Sequence, residues 1–216
     1  MRKIGTDAYS LDTNGHVALL SSGRLILIDT GTKPDGEILL PEIEKTGYKV
    51  SDIEFIYITH THPDHVGGLA KLKELTDAIV LSHELEAKYI SKEEIYDGPP
   101  GSKYQFHPGT PVDVKLVDGQ IYEGLLTIHT PGHTPGHSSF LDQEGSLLIA
   151  GDAFRNDPET GFGPMGDQYT LDPNQHKLSI KKLSNYNFER VILGHGEPVE
   201  VNGSKLLRQL VERENY

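Results

Sequence analysis

Apolar and polar positions alternate in short blocks along the chain, and two periods recur. His16-Val17-Ala18-Leu19-Leu20 and Arg24-Leu25-Ile26-Leu27-Ile28 are strand-like runs around Ser21-Ser22-Gly23, which predicts a hairpin. Asp29-Thr30-Gly31 ends its second strand. Ile38, Leu39 and Ile43 then fall on one helical stripe that stops near Gly47. Glu54-Phe55-Ile56-Tyr57-Ile58 predicts a further strand, followed by a His-rich turn and one helix from about Val66 to Leu75. Ala78-Ile79-Val80-Leu81 reads as a short strand and Glu84 to Ile90 as a helix. The stretch from Ser91 to Pro111 is broken by Pro99, Pro100, Gly101, Pro108 and Gly109 and predicts a long loop, of the kind that is usually functional.

Strand patterns resume at 112–116, 125–129, 138–141 and 147–150, with Asp118-Gly119 and Glu144-Gly145 as turn signals. From Phe154 to Thr170 the glycines at 161, 163 and 166 predict a second irregular stretch. Asp172-Pro173 has the form of a helix cap with proline in the first turn, and Ile180, Leu183 and Tyr186 follow at intervals of three. Arg190-Val191-Ile192-Leu193 predicts a last strand, and Leu206, Leu207, Leu210 and Val211 line a closing helix. Mixed elements with hairpins in both halves predict layered sheets covered by helices, an α/β (α+β) class, in a single domain over 1–216.

Composition narrows the chemistry. The chain of 216 residues carries 32 Asp and Glu against 20 Lys and Arg, a formal net charge of −12, and it has 11 His and no Cys. Zero cysteine excludes thiol catalysis, thiolate-bound zinc and iron–sulfur clusters. The acid excess argues against nucleic-acid binding, which rests on clustered Lys and Arg. Without an apolar run of membrane length, or a signal-peptide core after Met1-Arg2-Lys3-Ile4-Gly5-Thr6-Asp7, the expected setting is cytoplasmic and the expected partner a small molecule.

The histidines cluster. In Thr59-His60-Thr61-His62-Pro63-Asp64-His65, directly after an apolar strand, alternate residues of an extended chain share a face, so His60 and His62 can point at one metal. Pro63 suits the start of a helix, which turns Asp64 and His65 inward from a new direction. Imidazole and carboxylate together suit zinc, iron or manganese. His133, Asp152 and His195 each follow an apolar strand beside a glycine, where a scaffold presents a site.

On these residues the chain resembles the metallo-β-lactamase superfamily, whose signature is His-x-His-x-Asp-His followed by separate His, Asp and His ligands. The resemblance runs from Asp29-Thr30-Gly31 to Gly194-His195-Gly196. It implies a four-layer αββα sandwich holding two divalent metal ions, zinc foremost, with iron or manganese as alternatives. His60, His62 and His133 would hold one ion, Asp64, His65 and His195 the other, and Asp152 would bridge them. Asp29 would orient a ligand imidazole from behind. His137, in the second Pro-Gly-His repeat, is read as structural, and His16, His83, His107, His129 and His176 as ordinary packed or surface residues, with His107 alone on a loop able to reach a pocket.

Such a site implies a hydrolase whose nucleophile is a hydroxide shared by the two ions, with Asp64 also able to accept a proton. Within the superfamily the bridging Asp152 and zero Cys disfavour the β-lactamase branches. A flavodiiron enzyme would carry Glu at position 62. Glyoxalase II adds a C-terminal helical domain and typically a Tyr where Glu197 stands, and quorum-signal lactonases usually have a Tyr where this chain has Arg155. The remaining expectation is a compact hydrolase of esters, thioesters or lactones. Phosphodiester or phosphotriester hydrolysis at the same site is one alternative, and a mononuclear iron oxidoreductase resembling the persulfide dioxygenases is another. Tyr104, Phe106, Phe154, Arg155, Phe162, Met165 and Tyr169, from the two irregular stretches, are the candidate substrate pocket. Arg155 suits a substrate carboxylate or phosphate.

Overall fold

The computed structural model describes residues 1–99, 107–144 and 146–216. The chain divides into two compact units, the first carrying Met1–Tyr96 and running on to Lys115, the second carrying Leu116–Tyr216.

In the first unit seven strands lie side by side in chain order: β1 (Arg2–Lys3), β2 (Ala8–Asp12), β3 (His16–Leu20), β4 (Ile26–Ile28), β5 (Phe55–Ile58), β6 (Ile79–His83) and β7 (Val114–Leu116). The first four form antiparallel neighbours, with Leu19 opposite Leu27 in the expected hairpin. β4, β5 and β6 run parallel, which requires crossovers. These are α1 (Leu39–Lys45), then α2 (Pro63–Val66) with α3 (Leu69–Leu75); α4 (Glu84–Ile90) follows β6. Leu39, Ile43, Leu69, Leu72 and Ile90 from the helices pack on Leu19, Leu27, Ile56, Ile58 and Val80 from the strands. Leu20, Ile26, Ile28, Phe55, Tyr57 and Leu81 point to the other face and are buried too, which is why these strands read as unbroken apolar runs.

The single helix expected from Val66 to Leu75 is instead two pieces parted at Gly67-Gly68. A Cβ at Gly67 would sit 2.3 Å from the Thr32 carbonyl oxygen, and one at Gly68 would sit 2.7 Å from that of Thr30. Bare backbone is needed where the helix crosses the turn after β4. That turn is stitched down by Thr30, whose N–H and hydroxyl both donate to the His65 carbonyl, at 2.7 and 2.9 Å.

The second unit has a sheet in the order β14-β11-β10-β9-β8, built from β8 (Ile121–Tyr122), β9 (Leu125–His129), β10 (Ser138–Asp142), β11 (Leu147–Ile149) and β14 (Arg190–Ile192). Only the β11–β14 pair is parallel, and α5 (Pro173–Leu183) lies in its crossover. Asp172 caps α5 as expected, its carboxylate accepting from the N–H groups of Asn174 and Gln175 at 3.0 Å. Ile180 and Leu183 of α5, with Leu207 and Leu210 of α6 (Gly203–Glu214), cover Ile128, Leu141 and Leu148. Each unit thus supplies one sheet and one helical layer, in a mixed α/β fold. Among the described residues no helix is long and apolar enough to cross a membrane.

Three further features depart from the sequence reading. β1 and β2 precede the first strand expected, and β8 adds a short edge. The stretch from Phe154 to Thr170 is not irregular: β12 (Phe154–Asp157) and β13 (Gly161–Pro164) pair as an antiparallel hairpin, with Phe154 opposite Pro164 and Asp157 opposite Gly161. The Asp157 carboxylate closes its tip by accepting from the N–H groups of Glu159 and Thr160, at 2.9 and 3.0 Å. Side-chain capping makes a turn there that glycine content alone does not reveal.

Candidate metal centre

In the first unit β4 and β5 end beside one another, which brings Asp29 to the His-rich turn. Asp29 is buried and holds a left-handed backbone, φ +66°, with its N–H donating to the Tyr57 carbonyl at 2.8 Å. Its carboxylate accepts from the Thr59 N–H and the Thr59 hydroxyl, each at 2.8 Å, and lies 2.7 Å from Nδ1 of His65. A carboxylate accepts only, so His65 carries its proton on Nδ1 and turns the Nε2 lone pair the other way. Asp29 thereby holds the His65 ring from behind.

The imidazoles of His60, His62 and His65 are all buried. The His60 ring lies 4.6 Å from that of His62 and 4.0 Å from that of His65, centre to centre. Pro63 opens α2, as the sequence predicts, and Asp64 on its first turn is the most open of this set, with a carboxylate oxygen 3.8 Å from Nε2 of His65. Between the first two histidines, the Thr61 N–H donates to Oε1 of Glu86 at 2.8 Å. The Tyr96 ring lies 5.6 Å from His62 and 5.5 Å from Tyr89. Burial, with the charge of Glu86 adding to it, pushes the Tyr96 phenol above its ordinary range.

In the second unit Asp152 sits just beyond β11 and is buried. One of its carboxylate oxygens, Oδ2, lies 3.3 Å from Nε2 of His133 and 3.5 Å from Nε2 of His195. His133 is fully buried, whereas the His195 side chain is about one-third exposed, at 35%. His137 is closer to this chemistry than its structural reading implied. Its Nε2 accepts from the Asp152 N–H at 2.9 Å, which leaves Nδ1 to donate to Thr130, 3.1 Å from the carbonyl and 2.8 Å from the hydroxyl. His176 also approaches from α5, its ring 6.3 Å from that of His133. Burial lowers the His176 imidazole, and hydrogen bonding to the backbone at Ala153 and Asp152 works against that.

The loop bearing His195 is pinned by the new hairpin. Asn156 of β12 donates its N–H to the His195 carbonyl at 3.4 Å, accepts from the Glu197 N–H at 2.8 Å, and donates from its side-chain amide to the Glu197 carbonyl at 2.9 Å. Gly196, at φ +88°, has no room for a side chain: a Cβ would lie 2.1 Å from the Asn156 carbonyl oxygen.

The expected pocket residues separate. Phe154 is wholly buried in the core of the second unit, with Phe162 packed 5.0 Å from it and Met165 buried as well. Arg155 is half-exposed, its guanidinium 3.8 Å from the Asp157 carboxylate, and Tyr169 is exposed. Tyr104 and Phe106 lie outside the described residues. His107 is buried, and burial, reinforced by the Lys92 charge, pushes its imidazole down to about 4. His83 is a helix cap for α4, accepting from the Leu85 N–H at 3.3 Å. His129 and His16 hydrogen-bond locally, to the Pro135 carbonyl and the Ser10 hydroxyl.

The donors suit a divalent ion. Both units hold His and Asp side chains able to ligate a metal, imidazole nitrogens and carboxylate oxygens with no thiolate, which is a set for zinc, iron or manganese. Buried imidazoles packed ring to ring, and a carboxylate placed between two more, are costly arrangements unless a shared cation organises them.

A family model described as the metallo-beta-lactamase superfamily matches residues 12–195. The probable metallo-hydrolase YflN of Bacillus subtilis is 27% identical over 216 aligned positions, taking in 88% of this chain and 81% of that protein. A hydroxyacylglutathione hydrolase of Hyphomonas neptunium is 34% identical over 132 positions, 61% of this chain but only 43% of that protein's length. Among solved structures, a beta-lactamase from Chitinophaga pinensis superposes with a TM-score of 0.78 at 22% identity, covering 99% of this chain and 90% of the other. At that identity the likeness shows the fold.

Proposed function

The chain belongs to the metallo-β-lactamase superfamily and is a metallo-hydrolase, and from that premise we propose a dinuclear enzyme that cleaves an ester, thioester or lactone. In this reading both units act as one domain. His60, His62 and His133 would hold one ion, Asp64, His65 and His195 the other, and Asp152 would serve both. The observation that carries the proposal is the Asp152 carboxylate, one oxygen within 3.5 Å of imidazoles from two different strand ends. A ligand shared by two ions has to face both ways in this manner.

Divalent ions, zinc foremost, would supply Lewis acidity and lower the pKa of bound water toward neutrality. The remaining chemistry belongs to the chain. Asp29 keeps the His65 proton on Nδ1. His137 fixes the Asp152 backbone. Asp64, partly open to solvent, would take a proton from an attacking water and return it to the leaving oxygen or sulfur. Acyl rather than phosphoryl substrates fit the acidic surface, at −12 overall, and the hydroxyacylglutathione hydrolase among the relatives acts, by its name, on an acyl compound.

The test is a panel of aryl esters, thioesters, lactones and phosphodiesters with the zinc-loaded protein, beside a chelated control and a metal count per chain. We expect two ions, acyl turnover and its loss on chelation. His60→Ala and Asp152→Ala should each cut turnover by on the order of 100-fold or more while leaving the fold intact. Full turnover in both variants sinks the site assignment. Preference for phosphodiesters would transfer the site to phosphoryl chemistry, and one iron per chain with oxygen consumed on persulfides would replace hydrolysis altogether.

A further inference from the structure

We propose that Glu86 is a positioning residue for the metal-binding turn, its carboxylate oxygen setting the peptide between His60 and His62; the inference rests on the metallo-hydrolase reading of that turn. Glu86 lies on the first turn of α4, whose neighbours Glu84 and Leu85 are exposed, yet its own side chain is 0% exposed. Glutamate is almost never fully buried unless something compensates, because removing its charge from water is costly. Contacts around it offset that cost. The helix N-terminus favours an acid on its first turn. More specifically, Oε1 accepts from the Thr61 N–H at 2.8 Å.

That N–H belongs to the residue between two proposed ligands whose rings are only 4.6 Å apart. The orientation of this one peptide sets where both imidazoles point, and ligand geometry tolerates errors of about 0.5 Å. α4 is docked firmly enough to serve as a reference, since Ala87 and Ile90 on the same face are buried and His83 caps its start. Glu86 also carries the charge that acts on Tyr96, whose ring lies beside His62. A buried carboxylate behind the turn therefore has two separable properties, an acceptor at a fixed reach and a negative charge. The hydrogen bond assigns the function to the first.

Two conservative variants separate them. Glu86→Gln keeps an oxygen at the same reach and removes the charge. Glu86→Asp keeps the charge and withdraws the oxygen by one methylene, about 1.5 Å. Zinc affinity, measured by competition with a chromophoric chelator, should stay within about threefold of wild type for the Gln variant and weaken about 10- to 100-fold for the Asp variant. Exchange of the Thr61 amide hydrogen in the metal-free protein should be slow in wild type and Gln and faster in Asp. An Asp variant that binds zinc as tightly as the Gln variant, or more tightly, overturns the proposal by showing that reach does not set the affinity. If the Asp variant folds poorly, the Gln variant decides alone, because loss of Thr61 protection there also overturns it. Failure of the wild-type chain to bind zinc would instead bring down the underlying reading of the site.

Discussion

Asp29, Glu86 and His137 each end on a backbone N–H of a ligand segment, those of Thr59, Thr61 and Asp152. The candidate ligands were conspicuous in the sequence because four donors crowd into Thr59–His65 and the others follow apolar strands. The residues that aim them were not, since Glu86 reaches back 25 positions and His137 forward 15, and neither distance leaves a local pattern. Asp29 was legible through family resemblance alone. His137→Ala strands the buried Asp152 N–H, and it should cost about 2 to 3 kcal/mol in a denaturant melt while weakening zinc binding. His107 gives a separate prediction in pH. It is neutral in the fold down to about 4, whereas the unfolded chain takes up a proton near 6.5. Unfolded protein then binds more protons between those values, so stability is full above about 6.5 and falls as pH drops toward 4. His107→Gln should flatten that fall, read as the dependence of Tm on pH from 7 to 5; an unchanged slope would assign it to other groups.

Among the elements, helix and strand types were read correctly in β3, β4, α4 and α5, where an apolar stripe faces a core. The errors sit where tertiary contact decides. Gly67-Gly68 is itself a turn signal, but what requires the break is the close approach of the Thr30 and Thr32 carbonyls of a distant turn. Likewise β12 and β13 carry Gly161, Gly163 and Pro164, which read as a loop until their pairing is seen. Gly67→Ala should therefore cost about 3 kcal/mol or more, several times the effect of Ala at an open glycine such as Gly47, and displace the Asp29 turn. Equal stabilities of the two variants in urea would show that α2 and α3 shift freely.

For the molecule as a whole, the −12 net charge acquires a local exception. Two divalent ions would offset the carboxylates of Asp29, Asp64, Asp152 and Glu86, so an anionic acyl substrate would meet the ions at short range and the net negative charge of the chain at long range. Turnover of an anionic ester should then rise with salt at low ionic strength, as the long-range term is screened first. Ligand linkage supplies a second test. Zinc at about 1,000 times its Kd stabilises the folded chain by about 4 kcal/mol, which for a chain of this length raises Tm by about 10 °C over the chelated form. A Tm indifferent to chelator would mean that the fold gains nothing from metal.

The hairpin of β12 and β13 also marks where new specificities can be sought. Its base is committed twice over, through Phe154 in the core and Asn156 on the His195 loop, whereas Pro158, Glu159 and Thr160 at its tip face solvent. A combinatorial library confined to 158–160, including changes of loop length, should yield mostly folded, metal-loaded proteins with altered substrate ranges. The same diversity placed at 154–156 should return mostly insoluble clones.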